Sequence, residues 1–370
     1  MGQSIIIPSS VDDLIEQVKS EESLIPRGGG TKPTLWESEA STTLVDTRGL
    51  NGIVEYLPSE YTITVQAGTP LRDVVHALAE NGQYLPFDPP MAEQGATIGG
   101  TVAAGLSGPG AYRYGPIKDF LIGVRFVDGR GNFVRGGGKV VKNAAGFDFP
   151  KLFNGSLGRL GILTEVSFKV FPEPQSYVTL QCRCDHYQEA LTILPKLIGY
   201  DLEGVEVDSD LNLLLRLGYQ EATMDVRKAG LESIVGKPLS LTVGDAEADV
   251  WNAVKSFSWA DAETPLFKTA THPQSALGLL ETLDKEAWRI HLTNGGKTLY
   301  LSGDRKDAIT SLDANLRDRG LTGLQFRGAS KERPLFGAVP QLTFIDRIQK
   351  ALDPDQKFLP YTPSKEVVSN

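Results

Sequence analysis

Apolar residues recur along the chain with two periods, and each period assigns an element. Val11, Leu14, Ile15 and Val18 fall on one helical face, with Ser10 placed to cap it. Leu71, Val74, Val75 and Leu78 repeat that spacing, and Gly82 follows as a stop. Ile162, Thr164, Val166, Phe168 and Val170 alternate instead, so they share one face of a strand. Shorter apolar runs at 5–7, 43–46, 53–56 and 62–67 predict further strands. Residues 121–127 and Phe133-Val134 predict a hairpin across Asp128-Gly129.

Two prolines in three residues, Phe171-Pro172-Glu173-Pro174, stop any strand or helix, so a domain boundary is expected there. Beyond it a strand is expected at 177–184, and helices at 186–198, 245–257, 306–319 and 342–352. A second hairpin is expected at 288–293 and 298–301 around Asn294-Gly295-Gly296. Strands interleaved with helices on this scale predict an α+β fold with a ferredoxin-like layer. No internal repeat and no low-complexity tract is visible. The expected units are 1–174, a smaller α+β unit over 175–345, and a final segment over 346–370.

Composition narrows the function. The 370 residues are 41% hydrophobic and 22% charged, which fits a globular protein of about two domains. Lys plus Arg is 37 against 46 for Asp plus Glu, a net charge of −9 that argues against a nucleic-acid partner. No apolar run approaches a membrane span, and the start shows no basic region leading into a long apolar stretch. Two cysteines, Cys182 and Cys184, exclude a disulfide scaffold and point to a reducing, cytoplasmic setting. Two apart on a strand, they read as a core pair.

The 39 glycines are unevenly placed, 25 of them in residues 1–174. Arg27-Gly28-Gly29-Gly30-Thr31-Lys32 leaves backbone N–H groups unshielded, which suits either an anion-wrapping loop or a flexible turn. After Asp88-Pro89-Pro90, the run from Gly95 to Gly105 is almost all Gly, Ala, Thr and Val. It continues through Ser107-Gly108-Pro109-Gly110 to Arg113-Tyr114-Gly115. So little side chain makes a poor core and a good bed for a flat or phosphorylated ligand. A third stretch runs from Lys142-Asn143-Ala144-Ala145-Gly146-Phe147-Asp148 to Gly155-Ser156-Leu157-Gly158-Arg159-Leu160-Gly161-Ile162.

Several signatures are missing. No G-x-G-x-x-G follows a strand, and no G-x-S-x-G occurs. Gly295-Gly296-Lys297-Thr298 imitates a phosphate loop, but its first glycine would fall at His291. His76, His186, His272 and His291 are far apart and offer no metal pair, so no metal is expected. Arg289 and Arg327 are candidate carboxylate binders, though surface arginine is the commoner case.

Together the three segments resemble the FAD-binding domain of the vanillyl-alcohol oxidase, or p-cresol methylhydroxylase (PCMH), type. The Lys142–Asp148 segment resembles the K-N-x-A-G-Y-D stretch of glycolate oxidase flavin subunits. Asp88-Pro89-Pro90, the residues from Ala103 to Pro109 and the short C-terminal half resemble the E type of those subunits. Asp353-Pro354 with Phe358-Leu359-Pro360 resembles the family's ending, without its terminal N-P-G. The resemblance implies a two-part PCMH-type FAD domain followed by a cap. It assigns to the cofactor Arg27, Gly28, Gly29, Gly30, Thr31 and Lys32 from the first loop. From the second segment it assigns Pro90, Gly95, Ala96, Thr97, Ile98, Gly99 and Gly100. Gly105, Ser107, Gly108, Arg113, Tyr114 and Gly115 follow, then Asn143, Gly158, Gly161 and Ile162.

Where relatives with covalent flavin carry histidine in the first loop, this chain has Thr31, so FAD is expected to be non-covalent. The implied activity is oxidation of glycolate, or another D-2-hydroxy acid, to the keto product by hydride transfer to flavin. The implied partners are a sister FAD-carrying chain of the D type and an iron–sulfur subunit, with peripheral membrane association through the complex. The histidine-rich metal site of related dehydrogenases is absent, and the catalytic base is not legible. A non-catalytic, FAD-bearing or scaffold role beside a catalytic sister therefore stands as the alternative. A free-standing oxidase of another hydroxy acid ranks below both.

Overall fold

The computed structural model describes residues 3–38, 41–138, 147–328, 334–339 and 342–361. The chain opens with β1 (Ile5–Ile6), α1 (Val11–Ser20), β2 (Leu24–Arg27) and β3 (Thr43–Asp46). Ser10 caps α1 by accepting from the Asp13 N–H, and Leu14 and Val18 are buried beneath it. These strands form a parallel three-stranded sheet in the order β1-β3-β2. The sequence pattern does not predict β2, because Pro26 and the glycines after it mask its alternation.

Next come β4 (Ile53–Leu57), β5 (Thr62–Gln66), α2 (Leu71–Ala79), β6 (Gln83–Tyr84), α3 (Ile98–Ala104) and α4 (Ala111–Tyr114). Then follow β7 (Leu121–Val127), β8 (Phe133–Gly137), α5 (Phe149–Phe153), β9 (Ile162–Lys169) and β10 (Phe171–Pro172). A five-stranded antiparallel sheet, β4-β5-β9-β7-β8, packs its apolar face on α2 and α3. The alternation in β9 is as expected, with Ile162, Thr164, Val166, Phe168 and Val170 all buried.

Three expectations are corrected here. Val75 is exposed, because α2 buries a narrower stripe of Leu71, Val74 and Leu78. Phe171-Pro172 does not end all pairing but forms β10 against β6, an edge position where proline is tolerated. The small-residue run after Gly95 is itself helical and does serve as core. Thr97 caps α3, and Ile98 and Val102 are fully buried. The small side chains have a packing reason, since a Cβ on Gly99 would crowd Ala67.

The rest of the chain is β11 (Tyr177–Arg183), α6 (Tyr187–Ile193), β12 (Gly204–Val207), β13 (Asn212–Gly218), α7 (Met224–Val235) and β14 (Ser240–Val243). After α8 (Asp245–Ser256) come β15 (Leu266–Ala270), α9 (Pro273–Leu280), β16 (Arg289–Thr293), β17 (Thr298–Ser302), α10 (Lys306–Asp318), β18 (Thr322–Arg327), β19 (Leu335–Gly337) and α11 (Leu342–Leu352). They build one nine-stranded sheet, β14-β11-β13-β12-β16-β17-β15-β18-β19.

That order contains the β-α-β-β-α-β pattern twice, as β14-β11-β13-β12 and as β16-β17-β15-β18. The expected ferredoxin-like layer is therefore two such modules, joined edge to edge at Val207 and Leu292. The sequence shows no repeat because only topology is shared. One face of the sheet is covered by the helices; Val205, Val207, Ile290, Leu292, Leu299 and Leu301 point into that core. The alternate residues Tyr300, Leu266 and Phe326 belong to the core of the first half, so the sheet is buried on both sides.

The chain then returns. Leu24 N–H donates to the Lys357 carbonyl, Phe358 bridges to Leu24, and the Tyr361 hydroxyl reaches the Ser156 carbonyl.

Trp251 on α8 is fully buried and donates to the Thr179 hydroxyl at 2.7 Å. A Cβ on Gly204 would touch both Trp251 and Pro109, so this ring also sits where the halves meet. Trp251→Ala is expected to cost about 3–5 kcal/mol, read as a lowered urea midpoint, with Trp251→Phe well below that.

Candidate functional site

At Arg27 the chain leaves β2 and enters the glycine loop. A Cβ on Gly28 would overlap the Thr97 hydroxyl, and one on Gly29 the Gly95 carbonyl oxygen. Gly30 holds a φ of 73°, which favours glycine. The loop thus lies flat against the segment entering α3. Together they wall an open cavity. Leu35, Trp36, Ala103, Ala104, Leu157 and Leu163 add apolar surface, and Ser156, Gly158 and Gly161 close the far side.

The two glycine segments differ in what their backbones offer. In the second, Ala96 donates to Met91, Ile98 to Thr69 and Gly99 to Ala67, while Gly100 leans on the Thr97 hydroxyl at 3.3 Å. Those amides are spent on the fold. In the first, none of the described residues accepts from the amides of Gly28, Gly29, Gly30, Thr31 or Lys32. Gly28 to Thr31 are only half-buried, so five amides without a partner among the described residues, beside a cavity, are free to meet an acceptor.

The Lys32 side chain is 6% exposed and lines the same cavity. Its ammonium donates to the Thr31 hydroxyl at 3.0 Å, and no carboxylate among the described residues pairs with it. Burial alone brings its pKa down to about 8. The Ser156 hydroxyl is likewise buried without a partner among the described residues.

Arg27 lines the cavity, but its guanidinium is engaged elsewhere. It bonds Asp46 at 2.9 Å and lies 5.0 Å from the centre of the Trp36 ring. Asp46 also takes Arg48 at 2.6 Å. Burial tends to raise the Asp46 pKa, but the bonds from Arg48 and Arg27 outweigh it and bring it to about 2. This carboxylate locks the end of β2, and hence the start of the loop, to β3.

Of the sequence candidates, Arg27, Gly28, Gly29, Gly30, Thr31 and Lys32 come together at this cavity with Thr97, Gly99, Gly100, Gly158 and Gly161. Others are placed differently. Ala96, Ile98 and Ile162 are core, Gly95 only touches the loop through its carbonyl, and Gly105 ends α3 with a φ of 61°. Arg113 pairs with Glu203 at 2.8 Å and Asp201 at 2.5 Å, tying the halves together. Tyr114 packs edge-on against Tyr84 and Phe171, and Gly115 turns the chain after it with a φ of 93°. Pro90, Ser107 and Gly108 line a second, much smaller cavity between the halves, with room for about one water. Asn143 lies outside the described residues.

Sequence reasoning missed two features. Arg159 is 3% exposed, and its Nε and Nη1 have no partner among the described residues. Burial brings its pKa down to about 10. The second is a buried pair, His291 Nε2 to Glu206 Oε2 at 2.7 Å, beside the smaller cavity. Its members are 85 residues apart on β12 and β16, so no local spacing could reveal them. Among the described residues no three His, Cys, Asp or Glu side chains gather for a metal. Cys184 is buried and Cys182 packs beside that core, both as free thiols.

Gly29→Ala is expected to push the loop off Gly95 and empty the purified protein of flavin, read from its visible spectrum. Asp46→Asn is expected to cost on the order of 2 kcal/mol near neutral pH. A depressed carboxylate pKa stabilises above the unfolded value, so the gap from wild type stays constant above about pH 4 and shrinks as pH falls toward about 2. Urea midpoints across that range check it.

The comparisons with known proteins agree with this geometry. The FAD binding domain family matches residues 3–137. Glycolate oxidase subunit GlcE of Escherichia coli (strain K12) is 33% identical over 297 residues, 79% of this chain and 76% of that one. Glycolate oxidase subunit GlcD of Bacillus subtilis (strain 168) is 33% identical over 209 residues, 54% of this chain and 43% of that longer one. Among solved structures, alkyldihydroxyacetonephosphate synthase superposes with a TM-score of 0.69 over 96% of this chain and 75% of that one. At 16% identity this speaks for the PCMH-type fold alone. D-lactate and D-2-hydroxyglutarate dehydrogenases are also similar. The chain belongs to the glycolate oxidase subunit GlcE family, FAD-dependent proteins of the PCMH type whose shared chemistry is the oxidation of 2-hydroxy acids.

Proposed function

We propose that this chain is the FAD-carrying subunit of a complex that oxidises glycolate to glyoxylate. The observation that carries the proposal is the row of five amides from Gly28 to Lys32, from which no described residue accepts, beside a buried ammonium with no carboxylate partner among the described residues. The residues fit FAD: the cradle is one that a Cβ would fill, and its open donors suit a diphosphate. In this reading residues 1–174 hold the cofactor, 175–345 cover it, and 346–370 return to brace it. When bound, FAD supplies the acceptor for hydride from the substrate carbon.

The chain's own part is to bind, orient and exclude water. Gly28–Lys32 grip the diphosphate, and Lys32 supplies the charge that balances it. Leu35, Trp36, Leu157 and Leu163 give the dry wall against which a flat ring lies. No histidine or cysteine lines this cavity among the described residues, and Thr31 offers no attachment point, so the cofactor is held without a covalent bond. The proposed partners are a sister flavin subunit and an iron–sulfur subunit. The subunit names of both glycolate oxidase relatives support the former. Among the described residues no helix is long and apolar enough to cross a membrane.

The purified chain is expected to carry flavin that trichloroacetic acid releases fully into the supernatant. Its absorption near the flavin maximum is expected to bleach on anaerobic addition of glycolate. Bleaching that appears only after the sister subunit is added would assign hydride abstraction to that partner. FAD affinity is expected to hold below about pH 8 and to fall above it as Lys32 loses its proton, because a bound diphosphate favours the ammonium. Lys32→Met is expected to weaken binding about 10-fold or more and to flatten that pH dependence in fluorescence titrations.

A further inference from the structure

The chain's only two cysteines stand together at the end of β11. Cys182 and Cys184 are two residues apart, so both side chains leave the strand on the helix-covered face, following Val178 and Leu180. Cys184 is 1% exposed inside that core, while Cys182 is only partly buried at its rim. Each thiol is within hydrogen-bonding reach of the other. Strand rise sets two such Cα atoms about 6.4–6.8 Å apart, the upper end of what a disulfide spans. Cys184 lies one residue past the end of β11, where its N–H bonds the Leu211 carbonyl at 2.8 Å. Its backbone therefore has more room to adjust than a residue inside the ladder.

His186 continues the alternation, which makes Cys182, Cys184 and His186 resemble a trio of metal ligands. The structure does not use them so. His186 Nδ1 accepts from the Glu189 N–H at 3.0 Å and caps α6, and no three such side chains gather among the described residues. What remains is a dithiol with a cation fixed beside it. Lys237 Nζ donates at 3.1 Å to the carbonyl of Arg183, the residue between the cysteines. Glu189 and Asp185 hold the ammonium there, at 2.7 and 3.6 Å. The bond from the Cys184 thiol, with help from Lys237, brings Cys182 below the ordinary thiol range, against burial and the Glu189 charge. Cys184 moves far the other way, chiefly because it faces Cys182 and also because it is buried. The two sulfurs are therefore unequal: an accessible one that ionises first, and an enclosed one that stays protonated.

We propose that Cys182 and Cys184 are a site of reversible oxidation by hydrogen peroxide, with Cys182 as the sulfur that reacts and Cys184 as the one that closes the disulfide. The Cys182 thiolate attacks one peroxide oxygen and the O–O bond breaks. Cys182 becomes a sulfenic acid, and the departing hydroxide takes up a proton to give water. The negative charge that kept Cys184 protonated is then gone. Cys184 gives up its proton and attacks the Cys182 sulfur. The S–S bond forms as the S–O bond breaks, and the sulfenic oxygen leaves as a second water. In sum, two thiols lose two hydrogens and two electrons, and one peroxide becomes two waters; a small thiol reductant reverses the change. The cofactor cavity is lined only by residues of the first half, so this site is separate from it and goes beyond the proposed function.

The test treats the folded full-length protein with hydrogen peroxide, stops the reaction with catalase, alkylates free thiols with iodoacetamide under denaturing conditions and maps tryptic peptides by mass. Trypsin cuts after Arg183, between the cysteines, so a disulfide leaves two peptides joined. The wild type is expected to yield that joined pair, two hydrogens lighter and without alkyl groups, from protein that runs as a single chain without reductant. Dithiothreitol is expected to restore both alkylatable thiols. Cys182→Ser is expected to stay unoxidised at the same peroxide dose, because the remaining thiol is enclosed. Cys184→Ser is expected to stop at one added oxygen on Cys182, which dimedone traps; Cys184→Ala reads the same step if serine is not tolerated in the core. Wild type whose thiols alkylate as fully after peroxide as before overturns the proposal. So does oxidation of Cys182 to its higher acids with no joined peptide, a disulfide found only between two chains, or a folded Cys182→Ser that oxidises as fast as the wild type. None of these outcomes depends on what the flavin oxidises, so the proposed function is tested separately.

Discussion

A loop can keep five consecutive backbone N–H groups unpaired only where something else holds its shape. From Gly28 to Lys32 that something is close contact, together with hydrogen bonds to the loop's carbonyls: Gly30 accepts from Trp36 Nε1–H at 3.4 Å and Lys32 from the Leu35 N–H at 3.1 Å. Bare glycine carbons press on the Thr97 hydroxyl and the Gly95 carbonyl. One end is locked by Arg27 to Asp46, and Trp36 covers the arginine. The amides are left without an acceptor among the described residues. The same constraint explains why the neighbouring segment is small. Its amides are committed inside the fold, and its side chains must let the loop approach.

The second half depends on the period of its strands. Val205 and Val207 feed the helix-covered core while Glu206 between them faces the first half. Ile290 and Leu292 do the same around His291, and Leu299 and Leu301 around Tyr300. Two modules meet at a single register pair, Val207 with Leu292. The Glu206–His291 bond, one position away on each strand, therefore stitches the seam. A polar pair buried at such a seam costs desolvation unless fully bonded. Here the carboxylate is fully bonded and the imidazole is not.

Much of this is legible in the chain alone. The Ser10 cap, the buried face of β9 and the turn at Asn294-Gly295-Gly296 are local, set by residues a few positions apart. The glycine loop is legible only as a bend whose amides no side chain covers, which suits an anion or a turn alike. The run after Gly95 reads as bare loop and is not. Helix formation there depends on burial against Ala67 and the five-stranded sheet, which no local pattern announces. Arg113 looks like a ligand because charge beside glycine suggests binding. Its carboxylate partners are Asp201 and Glu203, the latter 90 positions away.

The amino-acid order by itself determined the kind of cofactor domain and the alternating elements that follow it, because turns, caps and periods are short-range properties. Only tertiary structure decided which amides stay free, since that depends on what each loop lies against. It alone doubled the ferredoxin-like unit, because topology can repeat without side chains repeating. And it alone brought Glu206 to His291, for two strands far apart in the chain become neighbours only when a sheet closes the distance between them.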